Sequence, residues 1–420
     1  MNKEKRFLKI IGNRPVNGVI KTSGSKNAAL PLIAASLLIK GEVILNNVPR
    51  IDDVFKMLEI LEYLNVKYTF TENTLSINSS NMIRKDLLIK QVSQIRGSYY
   101  LLGPLMEENS SLRFTNVGGC SFSSRPINYH INLFKYAGVL VIKEQNEYVF
   151  QVREYRDFTF EFENKSVGAT INAILLGVKF GRKIIIKNYS NEPEVMCLIS
   201  FLEKAGMNFN INEESISFCR KTSLNQLTFE VIPDRIEAET FALIGLGLGK
   251  IAIFDFIKEH HLSFLNFLDR LKAIYQLEDN CLIIEKYIPD ESFNLTLKEY
   301  PSLSTDIGPI LLSYLLLGEK MYLFEDRIYP ERLSKMHFFS SAFCFSNNQL
   351  LVNPRRLEAR NRTFYGTNLR DTMAYLYYCL THDGEFELYG LEHLFRGYED
   401  IIDKLISLNC KVELLDEESD

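Results

Sequence analysis

The sequence predicts an α/β protein of two domains, each built from three repeated units whose apolar helices lie buried inside sheets. Three observations carry this. First, one order of elements recurs six times, with openings near Lys26, Arg96, Ser166, Arg235, Asp306 and Arg370, separated by 64 to 71 residues. Second, the opening helix of each unit is apolar nearly all round, as a helix must be when it is covered on every side. Third, the β-rich runs are short and alternating. None is the long Val/Ile run of a central parallel strand, so a doubly wound sheet is a poor fit.

Each unit opens on a polar or charged residue that leads into the apolar helix. A Gly or polar turn, a short β-rich run, a polar loop and an amphipathic helix follow, and two short strands around a turn close it. In the first copy, Lys26 to Ile77, the helix is KNAALPLIAASLLIK and the closing run Val66-Lys67-Tyr68-Thr69-Phe70 has strand period. The third copy, Ser166 to Phe218, repeats this with SVGATINAILLGVKF and ISFLEKAGMNFNI. Turn-prone Ser23-Gly24 and Pro233-Asp234 mark the crossings. Residues 1–24 with 234–420 then make one domain and 25–233 the other.

Bulk properties exclude several functions. The 420 residues are 46% hydrophobic and 24% charged, an ordinary globular balance that needs no disulfide staples. A net charge of −5 argues against nucleic-acid or anionic-membrane partners, so an anion site must be a local cation cluster. The seven cysteines are scattered singly, without metal-ligand spacing, as expected of free thiols in a reducing compartment. Neither a spanning segment nor a cleavable leader is visible, and the chain is read as cytoplasmic. No metal cluster is seen.

The chemistry gathers where the units open. Helix N-termini offer unsatisfied N–H groups and partial positive charge, and several aimed at one cleft form an anion site. Lys26, Arg96, Arg235 and Arg370 add full charges there, although a cation at that end costs the helix about 0.3–1 kcal/mol. Arg125, Arg327 and Arg396 sit in loops, and a guanidinium fork suits phosphate and carboxylate. The loop NVGGCSFSSRP places Cys120 between glycines and serines, five residues before Arg125, where its thiol is expected to be reactive. The other six cysteines read as inert, within apolar helices or strands. GLGLGK at 245–250 reads as a helix end and not a dinucleotide fingerprint, and His260-His261 reads as a surface pair.

At TSGSKNAALPL, VGGCSFSSRP, SVGAT, NEPEV, PDRIE, TD and RGYEDIIDKL the chain resembles the UDP-N-acetylglucosamine enolpyruvyl transferases. It resembles 5-enolpyruvylshikimate-3-phosphate synthases more distantly, and these lack the Cys loop. The resemblance covers the whole chain. It implies two inside-out α/β barrels and transfer of the enolpyruvyl group of phosphoenolpyruvate to a sugar-nucleotide hydroxyl in peptidoglycan precursor synthesis. It also implies a cytoplasmic monomer without cofactor. By matching motif, Lys26, Arg125, Arg327, Arg370 and Arg396 would hold phosphoenolpyruvate. Asn27 and Asp306 would bind the sugar, with Asp306 as base. Arg96, the stretch Arg125, Pro126, Ile127, Asn128 and Tyr129, and Ser166, Val167 and Gly168 would hold the nucleotide. Phe324 would lie close to the sugar. Cys120 would be a general acid or act in product release, and the target of fosfomycin; Lys26 and Arg396 would also serve the chemistry.

The chain departs from the family pattern at several points. Asn128 stands for an Asp expected to meet the base, and Ser123 for a Gly. EDR at 325–327 replaces ENR, NLR at 368–370 replaces DLR, and NEPE at 191–194 replaces REPE. Glu239 and Gly308 stand for a Gly and a Gln, and the stretch after Arg327 keeps almost none of the pattern. Two alternatives therefore stand beside the main reading. One is a paralogue acting on another nucleotide or sugar-nucleotide acceptor. The other is a catalytically silent ligand-binding homologue.

Overall fold

The computed structural model describes residues 6–115, 127–154, 157–180, 183–219, 221, 223–332, 341–347, 349–358 and 361–416. The described residues divide into two units, 6–23 with those from 233 on in one and those of 24–115 and 127–232 in the other. Each has its own apolar core.

In the first of these, three opening helices pack on one another: Arg235–Leu248, Gly308–Leu315 and Leu369–Thr381. Every residue of the first two is buried. Helices this apolar have no polar face for water, so sheets must cover them. Polar side chains inside the core are used to tie helix to helix: Ser313 Oγ donates to Ala374 O at 3.0 Å, and Tyr377 OH to Leu243 O at 3.0 Å.

Three four-stranded sheets surround them, all on one plan. The strand after the opening helix pairs antiparallel with one member of an antiparallel strand pair and parallel with a fourth strand from elsewhere in the chain. Tyr322–Asp326, for example, pairs antiparallel with Gln349–Val352 and parallel with Asn294–Leu297. Likewise Thr363–Tyr365 runs parallel to Glu385–Tyr389, and Val16–Lys21 parallel to Gly249–Phe254. Two of these sheets thus borrow a strand from the preceding repeat, and the third takes one from the N-terminal residues. The N-terminal strand Arg6–Ile11 completes the last sheet, pairing with both Glu385–Tyr389 and Lys411–Asp416.

The second unit repeats the plan. Leu227–Glu230 runs parallel to Glu42–Asn46, and Phe158–Glu161 parallel to Ile184–Lys187. The three-stranded sheet of Ser110–Thr115 keeps only a parallel bridge, Leu87 to Phe114, in the fourth place. Its core holds the helices Lys26–Ser36 and Val167–Phe180. The expected apolar helix at Arg96 is broken, with a 3-10 turn Arg96–Leu101 followed by the short helix Leu102–Leu105. Pro104 lacks the N–H that would continue the earlier turn. Gly103 has its own reason: a Cβ there would lie 2.8 Å from Leu176 N, on the Val167–Phe180 helix. Both units are inside-out α/β barrels, with helices within and sheets outside.

One surface expectation is corrected. His261 is 2% exposed, its ring stacked on Phe256 with centroids 3.7 Å apart and Nδ1 3.0 Å from Glu239 Oε1. Only His260 lies outside the core. Among the described residues, no helix is long and apolar enough to cross a membrane.

Candidate functional site

In the unit of Pro233–Asp420, the starts of the three opening helices carry the polar chemistry. Asp234 caps the Arg235–Leu248 helix, its Oδ1 accepting from Ile236 N at 2.9 Å and Glu237 N at 3.1 Å. Asn368 caps Leu369–Thr381 in a reciprocal box: its Oδ1 accepts from Asp371 N at 3.2 Å and from Arg370 N at 3.0 Å, while its own N donates to Asp371 Oδ1 at 3.0 Å. Asn serves as well as Asp in that place, so NLR keeps the helix start that DLR would give. Ser304 Oγ accepts from Asp306 N at 3.1 Å, just before Gly308–Leu315.

These starts place Asp306 and Arg370 together, with Arg370 Nη2 2.7 Å from Asp306 Oδ2. Arg370 is buried, which opposes its charge, but Asp306 overcomes this and holds the guanidinium firmly protonated. Its Nη1 donates to Tyr398 OH at 3.3 Å, and Tyr398 OH meets Thr240 Oγ1 at 3.0 Å. Arg332, outside the sequence expectations, joins from the other side, with Nη1 and Nη2 each 3.4 Å from Asp306 Oδ1. Asp306 keeps 26% of its side chain exposed.

Behind this lies a second buried pair. Lys404 Nζ meets Glu237 Oε1 and donates to Ser23 Oγ at 2.6 Å. Burial pushes the Glu237 carboxyl up to about 7, against the pull of Lys404. Arg235 lies over the Tyr300 ring, 5.7 Å from its centroid. Arg327 is half-exposed, its Nε 3.1 Å from Glu325 Oε1. Arg396 is partly exposed at the end of the short helix Glu392–Phe395. The Phe324 side chain has no exposed surface and packs in the core, under the start of the Gly308–Leu315 helix. As strand Tyr322–Asp326 alternates, the Phe324 side chain falls on its inner face.

In the other unit, Lys26 begins its helix with Nζ 3.3 Å from Asp53 Oδ2, so its charge is partly compensated. Asn27, partly exposed, follows it in the first turn. The expected nucleotide residues gather around a buried imidazole. His130 Nδ1 lies 2.9 Å from Asn172 Nδ2, and its ring stacks on Tyr99 with centroids 5.5 Å apart. A Cβ on Gly168 would come 3.3 Å from His130 Cε1, so this glycine holds the Ser166–Gly168 segment close over the ring. Burial, with the nearby Arg96 charge, pulls His130 down to about 3. A neutral ring fits Asn172, because an amide N–H needs an unprotonated Nδ1 to accept it. Asn164 Nδ2 donates to Tyr129 OH at 2.9 Å. Asn128, exposed, opens the helix Asn128–Tyr136 one residue after the half-buried Ile127.

Cys120, Arg125 and Pro126 lie outside the described residues. Of the remaining cysteines, Cys219 and Cys344 are exposed, not inert core as expected. Cys344 alternates with the buried Phe343 on its strand, so its neighbours' apolar character does not report its own face. Among the described residues, no group of three or more His, Cys, Asp or Glu could hold a metal ion. Sequence reading missed Arg332, Tyr398 and His130. Tyr398 and His130 were in plain view within RGYE and RPINYH, but Arg332 stands in the stretch that keeps almost none of the family pattern.

The EPSP synthase (3-phosphoshikimate 1-carboxyvinyltransferase) profile matches residues 10–301. The UDP-N-acetylglucosamine 1-carboxyvinyltransferase of Thermotoga maritima is 30% identical over 421 residues, spanning 98% of this chain and 99% of its own. That of Wolbachia pipientis wMel is 30% identical over 415 residues, spanning 96% and 97%. The crystal structure of the enolpyruvyl transferase NikO from Streptomyces tendae has the same fold, with a TM-score of 0.87 at 19% identity, over 99% of this chain and all of that one. The EPSP synthase of Acinetobacter baumannii gives 0.74 at 12% identity, over 98% of this chain. Fold and relatives together define the class, a transferase of the carboxyvinyl type. The chain belongs to the EPSP synthase family, and its relatives in sequence include UDP-N-acetylglucosamine 1-carboxyvinyltransferases.

Proposed function

We propose that the protein transfers the enolpyruvyl group of phosphoenolpyruvate to the 3′-hydroxyl of UDP-N-acetylglucosamine and releases phosphate. The supporting observation is Asp306, a partly exposed carboxylate at a helix start with two guanidinium groups beside it. In this reading Asp306 takes the acceptor's hydroxyl proton, and the oxygen's electron pair forms the bond to C2 of the donor. C3 gains a proton from a general acid, the role assigned to Cys120. The tetrahedral intermediate then loses phosphate, and C3 gives up a proton to restore the double bond. Lys26, Arg125, Arg327, Arg370 and Arg396 are assigned to the donor's carboxylate and phosphate, where fixed cations stabilise charge without reorganising. Asn27 with Asp306 is assigned to the sugar. Arg96, Ile127–Tyr129 and Ser166–Gly168 are assigned to the nucleotide, over the neutral His130. The protein acts as a cytoplasmic monomer without cofactor.

Asn128 favours a second reading, a different nucleotide acceptor, because an amide donates and accepts where a carboxylate only accepts. A phosphate-release assay with phosphoenolpyruvate separates the two. Release with UDP-N-acetylglucosamine supports the first, release only with another nucleotide the second, and none with any nucleotide sugar or nucleotide contradicts both. Asp306→Ala is expected to lose at least about a hundredfold in turnover, the usual span for a general base.

A further inference from the structure

We propose that Arg332 is a positioning residue for Asp306, a fixed cation that orients this carboxylate and keeps it ionised. The proposal rests on the reading of Asp306 as the base. The two oxygens of Asp306 are held unequally. Oδ2 is taken by Arg370 at 2.7 Å, a charge-assisted hydrogen bond of full strength. Oδ1 meets both terminal nitrogens of Arg332 at 3.4 Å, near enough for charge but too long for a tight bond.

Arg332 does not owe its place to Asp306. Its side chain is 5% exposed, and Nη1 donates to Thr305 O and, at 3.0 Å, to Thr305 Oγ1. Thr305 Oγ1 in turn donates to Asp326 Oδ2, and Asp326 Oδ1 accepts from Ile328 N and Tyr329 N at 2.9 Å each. Tyr329 lies under the guanidinium, its centroid 5.1 Å away. The family's ENR has become EDR here, and the new carboxylate Asp326 is the buried anchor of this chain of contacts. The cation thus stays beside Asp306 whether or not that carboxylate is charged, and a fixed cation favours the ionised form. Among the described residues, Arg370 and Tyr398 also bear or take charge beside the pair, with Asp234 acting on both and Glu237 on Tyr398.

The test is the pH profile of kcat/KM for Arg332→Met, Arg332→Gln and Arg332→Lys against wild type, with KM for phosphoenolpyruvate followed separately. The expected result is an acid limb moved up by about one pH unit in the Met and Gln variants, in line with loss of a neighbouring cation. Lysine should restore the limb, and KM should stay within about twofold. A uniformly lower kcat/KM with an unmoved limb would overturn the proposal, as would a large rise in KM alone. A turnover-free arm keeps the two readings apart. In protein with 13C-labelled aspartate carboxyls, the Asp306 signal, assigned by its absence in Asp306→Asn, should titrate higher in whichever of the variants fold. That shift with full activity in Asp306→Asn would sink only the base assignment; no shift would sink the role of Arg332.

Discussion

Single buried groups set the clearest expectations. His130 is neutral because its folded pKa, about 3, lies below the ordinary 6.5. Between those values the unfolded chain binds more protons than the folded one. Stability therefore rises with pH through that window and is lost as pH falls from 6.5 toward 3. Replacing His130 with Gln should reduce the loss between pH 6.5 and pH 5 by about 2 kcal/mol, read from urea melts at the two pH values. An unchanged loss would mean the imidazole is protonated in the fold. Glu237 works the opposite way, with its carboxyl pushed up to about 7 from 4.5 by burial. The folded state there binds the extra proton, so stability falls as pH rises through that interval. Glu237→Gln should flatten this slope. Arg370 was legible as a cation at a repeat's opening, and Asp306 through the TD motif that carries the family resemblance. The sequence could not show Arg332 or the burial of His261. Those depend on contacts between distant segments, and the local pattern around each, charged and polar, reads as surface.

At the scale of elements, the repeat was legible where each copy carries a long apolar helix and a hairpin. Four of the parallel partner strands were not. FTFE, LTFE, NLTL and TFY are three or four residues long, too short to establish a period, and their partners are remote and parallel. The broken second helix shows why pattern alone falls short: Leu101, Leu102 and Leu105 are as buried as helix residues elsewhere, yet Pro104 and the close approach at Gly103 set the backbone. Gly103→Ala should destabilise by about 1–3 kcal/mol, since its methyl would press on backbone that cannot yield. Thermal melting tests this, and an unchanged midpoint would show that the helices do not meet so closely. Asn368→Ala should cost about 1 kcal/mol through the lost cap, while Asn368→Asp should cost almost nothing.

The whole molecule depends on a strand from its first residues. Leu8 and Ile10 are fully buried, and Arg6–Ile11 has hydrogen-bonded neighbours on both sides. Deleting residues 1–11 should lower the melting temperature and expose the Lys411–Asp416 edge to aggregation. A truncated protein as stable and soluble as the full chain would contradict this closure. The division into six units explains how charge collects in a protein whose net charge is −5: helix starts recur, and each brings polar groups and N–H donors. The most direct test of the functional account is mass spectrometry of the nucleotide product, with phosphate release, after incubation with phosphoenolpyruvate and UDP-N-acetylglucosamine. The account expects a carboxyvinyl ether of the sugar nucleotide and one phosphate per product, both abolished in Asp306→Ala. Unchanged UDP-N-acetylglucosamine and intact phosphoenolpyruvate, from a folded enzyme, would contradict it.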